Sequence, residues 1–213
     1  LQYHEVKVIL EHNFTATYGS DGTNKLWVDY IYLDTDERRR FAQVSHEYLI
    51  EQVQEQTIAS AATSTDLNFN HPVKELIWTC GSAAEGVADS CSLVTPSAAI
   101  TDTYKLKLNG HDRFAPRGHD YFSRVQVWQH HSGYGGVDST DAGTDGNAAN
   151  DSICVYSFAL KPEEHQPSGT CNFSRIDNAH LMFTGATTVA NIYAVNYNVL
   201  RIMSGMGGLA YSN

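Results

Sequence analysis

The chain has 213 residues, of which 42% are hydrophobic and 18% charged, and it carries 24 acidic against 14 basic side chains. That is enough chain for one domain with its own core, or one domain and part of another, and too apolar a composition for disorder. The net charge of −10 argues against direct nucleic-acid binding, which needs a basic face, and no apolar run approaches the ~20 residues of a membrane-spanning helix.

Residues 1–11 (LQYHEVKVILE) are dense in β-branched and apolar types and predict a strand. Leu1 already lies inside that pattern, so the expectation is a C-terminal piece of a longer protein. Residues 25–33 (KLWVDYIYL) are apolar on both faces, the mark of a buried strand. Asp34 or Thr35 can then cap a short helix from Asp36 to Ala42, with acids in its first turn and Arg38, Arg39 and Arg40 toward its end. Residues 45–56 (SHEYLIEQVQEQ) fit a helix or a strand, and periodicity does not decide between them.

Further along, 66–70 alternates Leu67 and Phe69 against Asn68 and Asn70, and 73–79 (VKELIWT) reads as a strand. Residues 104–109 alternate Tyr104, Leu106 and Leu108 with Lys105, Lys107 and Asn109, then meet Gly110; Asn-Gly is a strong tight-turn signal. Residues 119–130 place Tyr121, Val125 and Trp128 at helical spacing. Strands are expected again at 153–160, 179–184 and 189–203. The segments 57–65, 80–103 and 131–151 are small and polar and read as loops. Many short strands with few helices point to an antiparallel sandwich or barrel.

No catalytic or metal-binding constellation emerges. His4-Glu5 and His46-Glu47 each open an H-E-x-x-H that lacks its second histidine. Asp141 to Gly146 resembles an EF-hand opening, but position twelve is Ser152 rather than Glu, and no helices flank it. The pair His130-His131 has no third ligand at motif spacing. No G-x-S-x-G occurs, and the glycines at 205, 207 and 208 precede neither a helix nor a lysine, so they read as a tight packing site. Neither a cofactor nor a metal is expected. Three N-x-S/T sequons fall at Asn13, Asn150 and Asn172; Asn150, in a long polar loop, and Asn13 are the candidate glycosylation sites. The cysteines at 80, 91, 154 and 171 form no C-x-x-C; free thiols are the preferred reading, with two disulfides as the alternative.

Several long blocks carry a resemblance: WVDYIYLDTDERRRFAQ (27–43), LNFNHPVKELIW (67–78), LKLNGHDRF (106–114), FALKPEEHQPSGTCNFSRIDN (158–178) and IYAVNYNVLRIMSGMGGLAYSN (192–213). They resemble the major capsid proteins of nucleo-cytoplasmic large DNA viruses, especially those of algal viruses. The resemblance implies an all-β fold, an antiparallel jelly-roll sandwich that is the second of two jelly rolls on one chain, with one or two short helices. Residues 1–44 would hold the last strands of the first jelly roll and a connecting helix, and 45–213 the complete C-terminal jelly roll. It also implies that 45–56 is a strand.

By the same resemblance, the protein would be structural rather than enzymatic. It would form a homotrimer of pseudo-hexagonal outline, contact neighbouring capsomers and minor capsid proteins, and meet the host surface through outer loops. Its place would be the virion shell, assembled in the host cytoplasm. In the motif turn, Pro167 and Gly169 shape the bend, Asn172 is structural, and Arg175 pairs with Asp177 or is simply solvated. Trp27, Trp78, Phe114, Phe158, Phe173, Tyr193 and Tyr197 are the candidate core or inter-jelly-roll residues. The alternative is a carbohydrate-binding jelly-roll module, with Tyr18, Tyr134 and Trp128 as stacking platforms.

Overall fold

The structure is a computed structural model, and it describes residues 5–9, 25–59, 62–79, 103–133, 153–184 and 191–211. By contacts the chain divides into two units, Ile50–Asn198 and Leu1–Leu49 with Val199–Ser212.

The first of these is a two-sheet sandwich. Its strands are β1 (His46–Thr57) from Ile50 on, β2 (Ser64–Asp66), β3 (Pro72–Thr79), β4 (Thr103–Leu108), β5 (His111–Asp112), β6 (Arg117–Gly118), β7 (Ile153–Ser157), β8 (Cys171–Asn172), β9 (Ala179–Phe183) and β10 (Asn191–Met203) up to Asn198. One sheet runs β1-β10-β3-β7 and the other β2-β9-β4-β5, with every described ladder antiparallel. Successive strands therefore alternate between sheets at the start of the chain, and the last long strand returns to lie beside the first. Two interlocked Greek keys produce this order, and it is the wiring of a jelly roll.

Alternation builds the core. Val73, Leu76 and Trp78 of β3, Ile192 and Ala194 of β10 and Cys154 of β7 face Tyr104 and Leu106 of β4 and Ala179, Leu181 and Phe183 of β9. Trp78 lies 5.5 Å from the Tyr104 ring and 5.2 Å from Phe122. Phe122 belongs to a five-residue π-helical turn, Tyr121–Val125, that continues into α2 (Gln126–His130) and plugs the sandwich. The helix expected over 119–130 is thus present, with its first turn wound wider.

Local sequence explains most boundaries. Asn109 and Gly110 both take positive φ, 50° and 79°, between the paired Leu108 and His111. This is the two-residue hairpin turn that Asn-Gly favours. β7 stops at Ser157, short of the expected 160, because Phe158 N and Ala159 N both turn to donate to Lys74 O (2.9 and 3.2 Å). Lys74 itself has no partner in β10, since Val195 pairs Glu75 and Asn196 pairs Val73; it is the extra residue of a β-bulge.

Two expectations for the sandwich need correction. The segment 66–70 is not a strand beyond Asp66, although Leu67 and Phe69 are buried. Its backbone is satisfied by side chains instead. Gln54 donates to Asn70 O (2.9 Å) and accepts from Asn70 N (3.0 Å). Gln56 donates to Asp66 O and accepts from Asn68 N (3.0 Å). Each carboxamide offers one donor and one acceptor, as a neighbouring peptide would. The loop read over 57–65 also gives up Ser64 and Thr65 to β2.

The second unit contains α1 (Thr35–Gln43), capped by Asp34, whose Oδ1 accepts from Thr35 N at 2.7 Å. The cap and the acid-to-base gradient are as the sequence predicts. β11 (Met206–Leu209) pairs with the end of β10 around Ser204-Gly205, both at positive φ. Tight packing at Gly208 is not observed, since a Cβ there would meet nothing within 4 Å. Residues 5–9 and 25–34 carry no strand, because no described strand lies alongside them to complete a ladder.

Candidate functional site

The motif turn at 167–178 is a structural knot. Gly169 has φ +146°, and a Cβ there would sit 2.9 Å from Phe158 O, so both conformation and space demand glycine. Asn172 accepts from Ser174 N at 3.1 Å and caps the single 3₁₀ turn Phe173–Arg175. Ser174 Oγ in turn accepts from His71 N at 2.9 Å, and Phe173 N donates to His71 O at 3.1 Å. Phe173 is buried against Phe69 and Phe158.

The far end of the turn is tied to the β4–β5 hairpin. Asn109 Oδ1 accepts from Asp177 N (2.9 Å) and Asn178 N (3.3 Å), and Asn109 N donates to Asn178 O (2.6 Å). Arg175 and Asp177 are both exposed and make no ion pair with each other; backbone and amide contacts hold the turn. Pro167 is exposed at its entry.

A buried polar cluster lies on and beside the β3 bulge, and sequence reasoning did not find it. Lys74 is 3% exposed; its Nζ is 2.7 Å from Glu51 Oε1, donates to Pro162 O at 2.6 Å and lies 5.5 Å from the Tyr197 ring centroid. Its neighbour Glu75 is buried too, with Oε2 3.1 Å from His131 Nε2. The other ring nitrogen, His131 Nδ1, is 3.3 Å from Glu163 Oε1. Glu163 also accepts from Ser132 N at 2.9 Å and from the Ser132 hydroxyl. The Glu75 and Glu163 carboxylates raise the His131 pKa, Glu75 foremost, against the opposing effect of burial. The Ser132 donors lower that of Glu163.

Among the described residues, the one close His–Cys pair is not open to substrate. His119 Nδ1 and Cys154 Sγ are 3.3 Å apart, but both residues are buried in the core. Cys154 and Cys171 are free thiols; Cys80 and Cys91 lie outside the described residues. Among the described residues no cluster of three or more His, Cys, Asp or Glu could hold a metal. No described helix is long and apolar enough to cross a membrane.

The candidate surfaces are apolar. In the sandwich unit Trp128 is 78% and Leu160 72% exposed; in the other, Trp27 is 87% and Ile31 88% exposed. Of the aromatics expected in cores or interfaces, Trp78, Phe173 and Tyr197 are buried, while Phe114, Phe158 and Tyr193 are half-buried. The candidate glycosylation residues Asn13 and Asn150, and the stacking candidates Tyr18 and Tyr134, lie outside the described residues.

Comparison with known proteins agrees with this wiring. A family described as the large eukaryotic DNA virus major capsid protein matches residues 37–208. The major capsid protein of Pyramimonas orientalis virus is 54% identical, over 100% of this chain and 56% of that protein. That of Paramecium bursaria Chlorella virus 1 is 42% identical, over 100% of this chain and 62% of that protein. Among solved structures, the PBCV-1 virus capsid, a quasi-atomic model, matches with TM-score 0.64 and 39% identity, over 86% of this chain and 56% of that one. The chain therefore spans between half and two thirds of the length of these relatives. The lectin-like alternative finds no support among them. With its jelly-roll strand order and a family match across most of its length, the chain belongs to the major capsid proteins of large eukaryotic DNA viruses.

Proposed function

We propose that this chain is the C-terminal part of a structural capsid protein that works by self-assembly and performs no catalysis. The observation that carries this reading is the coincidence of the β1-β10-β3-β7 and β2-β9-β4-β5 sheets with the family match over 37–208. A jelly roll closes its core between two sheets and leaves loops free to diverge at its ends, which suits a unit that must pack repeatedly in a shell.

In this reading residues 45–213 form one jelly roll, α1 is the connector, and residues 1–33 belong to a preceding jelly roll. Three chains make a pseudo-hexagonal capsomer, which meets neighbouring capsomers and minor capsid proteins in a virion shell put together in the host cytoplasm. The long polar segments between β3 and β4 and between α2 and β7 meet the host, and Asn150 carries a glycan; Asn13 is a second glycan site. The exposure of Trp27, Ile31 and Tyr32 supports a covering partner for 25–33. A chain beginning at Ser45 should accordingly be more soluble than the 213-residue chain; equal solubility counts against that boundary.

The decisive experiment is light scattering after size exclusion on the capsid-length protein. A mass of three chains supports the reading, whereas a stable monomer refutes self-assembly as stated.

A further inference from the structure

The Glu75–His131–Glu163 cluster joins three parts of the sandwich unit. Glu75 stands on the central strand β3, His131 follows the last residue of α2, and Glu163 lies in the loop between β7 and β8. Both ring nitrogens of His131 face carboxylate oxygens, at 3.1 and 3.3 Å. The contact to Glu75 is close but not aligned as a linear hydrogen bond, so charge rather than direction makes it.

A neutral imidazole has one N–H and one lone pair. Placed here, it would point its lone pair at a carboxylate whichever tautomer it took. Only the imidazolium sets positive charge against both carboxylates. Glu163 accepts two further donors, one on each oxygen, from Ser132 N and Oγ, which fixes it as an ionised acceptor. Glu75 is buried, and removing the partner of a buried charge is strongly destabilising.

Other charges nearby are already engaged. Lys74, adjacent on β3, turns to Glu51 and Pro162 O. His165 sits 3.8 Å from the same Glu51, and Lys161 pairs with Glu164 at 2.9 Å. On α2, His130 Nδ1 lies 3.1 Å from Leu160 O. From β10, Tyr197 presents its ring to Lys74. His131 is thus the cation placed between Glu75 and Glu163.

We propose that His131 is a protonation-dependent clamp: as imidazolium it holds the end of α2 to both β3 and the β7–β8 loop, and on losing one proton to solvent it releases one of the two carboxylates. The clamp is closed between the lowered Glu163 pKa and the raised His131 pKa, and it opens as pH rises through the latter. The raised pKa of His131 is consistent with this direction. Its physical consequence is that the α2 end and the β7–β8 loop separate from the central strand in a pH-dependent way, while the core on the other face of β3 stays packed.

The test is an NMR titration of the His131 ring in the intact chain, combined with hydrogen exchange at the Ser132 amide corrected for base catalysis. The expected result is a titration midpoint above the ~6.5 of an ordinary histidine, moved down by Glu163→Gln. Ser132 exchange should accelerate above that midpoint, and in His131→Gln it should be fast at every pH. A midpoint at or below the ordinary value overturns the clamp. So does Ser132 exchange that is the same in His131→Gln and the parent on both sides of the midpoint. If His131→Gln does not fold, the Glu163→Gln titration decides alone, and an unmoved midpoint refutes the proposal.

Discussion

Residues 73–79 and 25–33 are made of the same kinds of side chain, yet one is enclosed and the other bare. In β3, flanked by β10 and β7, Leu76 and Trp78 are 0% and 1% exposed. In 25–33 no ladder forms, and Leu26, Tyr30 and Tyr32 lie largely in solvent with Trp27 and Ile31. Apolar content states a demand for burial; a neighbouring strand is what meets it. The contrast separates residues that stabilise this chain now from residues whose worth waits on a partner.

The largest effect that could break the comparison is at the two tryptophans. Trp78→Ala should cost ~3–5 kcal/mol of sandwich stability in urea unfolding, while Trp27→Ala should change it by less than ~0.5 kcal/mol. Similar losses at both would mean that 25–33 is packed after all.

Next come two glycines. Gly169→Ala forces a Cβ against Phe158 O at a left-handed φ and should cost ~1–3 kcal/mol. Gly208→Ala, with open space and no such φ, should stay within ~0.5 kcal/mol. Thermal melts of the pair decide whether the motif turn is the rigid element its contacts describe.

At the far end of that turn, Asn109→Ala removes the acceptor of the Asp177 and Asn178 N–H groups and should cost ~1 kcal/mol. Arg175→Ala should cost less than ~0.5 kcal/mol, since the side chain is exposed and unpaired with Asp177. Chemical denaturation of both variants sharpens the distinction between backbone stitching and surface charge.

These residues also show what the sequence made legible. The β4 alternation and the Asn109-Gly110 turn are short-range patterns, and they fold as written. So does the Asp34-capped helix. The strand β1 needed the family resemblance, because SHEYLIEQVQEQ satisfies both periods. The segment 67–70 alternates like a strand but pairs with none, because its hydrogen bonds come from Gln54 and Gln56, side chains that a propensity scale counts as polar surface. The His131 cluster left no local signal at all: its partners are 56 residues upstream and 32 downstream, brought together only by the sheet order (131 − 75 and 163 − 131). Read alone, His130-His131 has no third ligand at motif spacing and no role; in the fold the first ring goes to Leu160 O and the second to the two glutamates.

The smallest predicted effect is on pH. His131 has a raised pKa, so its contribution is full below the ordinary histidine pKa and is lost as pH rises through the raised value. Glu163 has a lowered pKa, so its contribution is present above the ordinary carboxylate pKa and is lost as pH falls through the lowered value. The thermal midpoint should therefore plateau between these limits and decline on the alkaline side, and His131→Gln should flatten that alkaline decline.

The most direct test of the account is hydrogen exchange at 25–33 and 73–79, measured in the 213-residue chain and in a capsid-length protein. The account predicts that 73–79 is protected in both, and that 25–33 exchanges freely in the shorter chain and becomes protected in the longer one. Free exchange of 25–33 in both would contradict it, because no jelly roll would then be completing that strand.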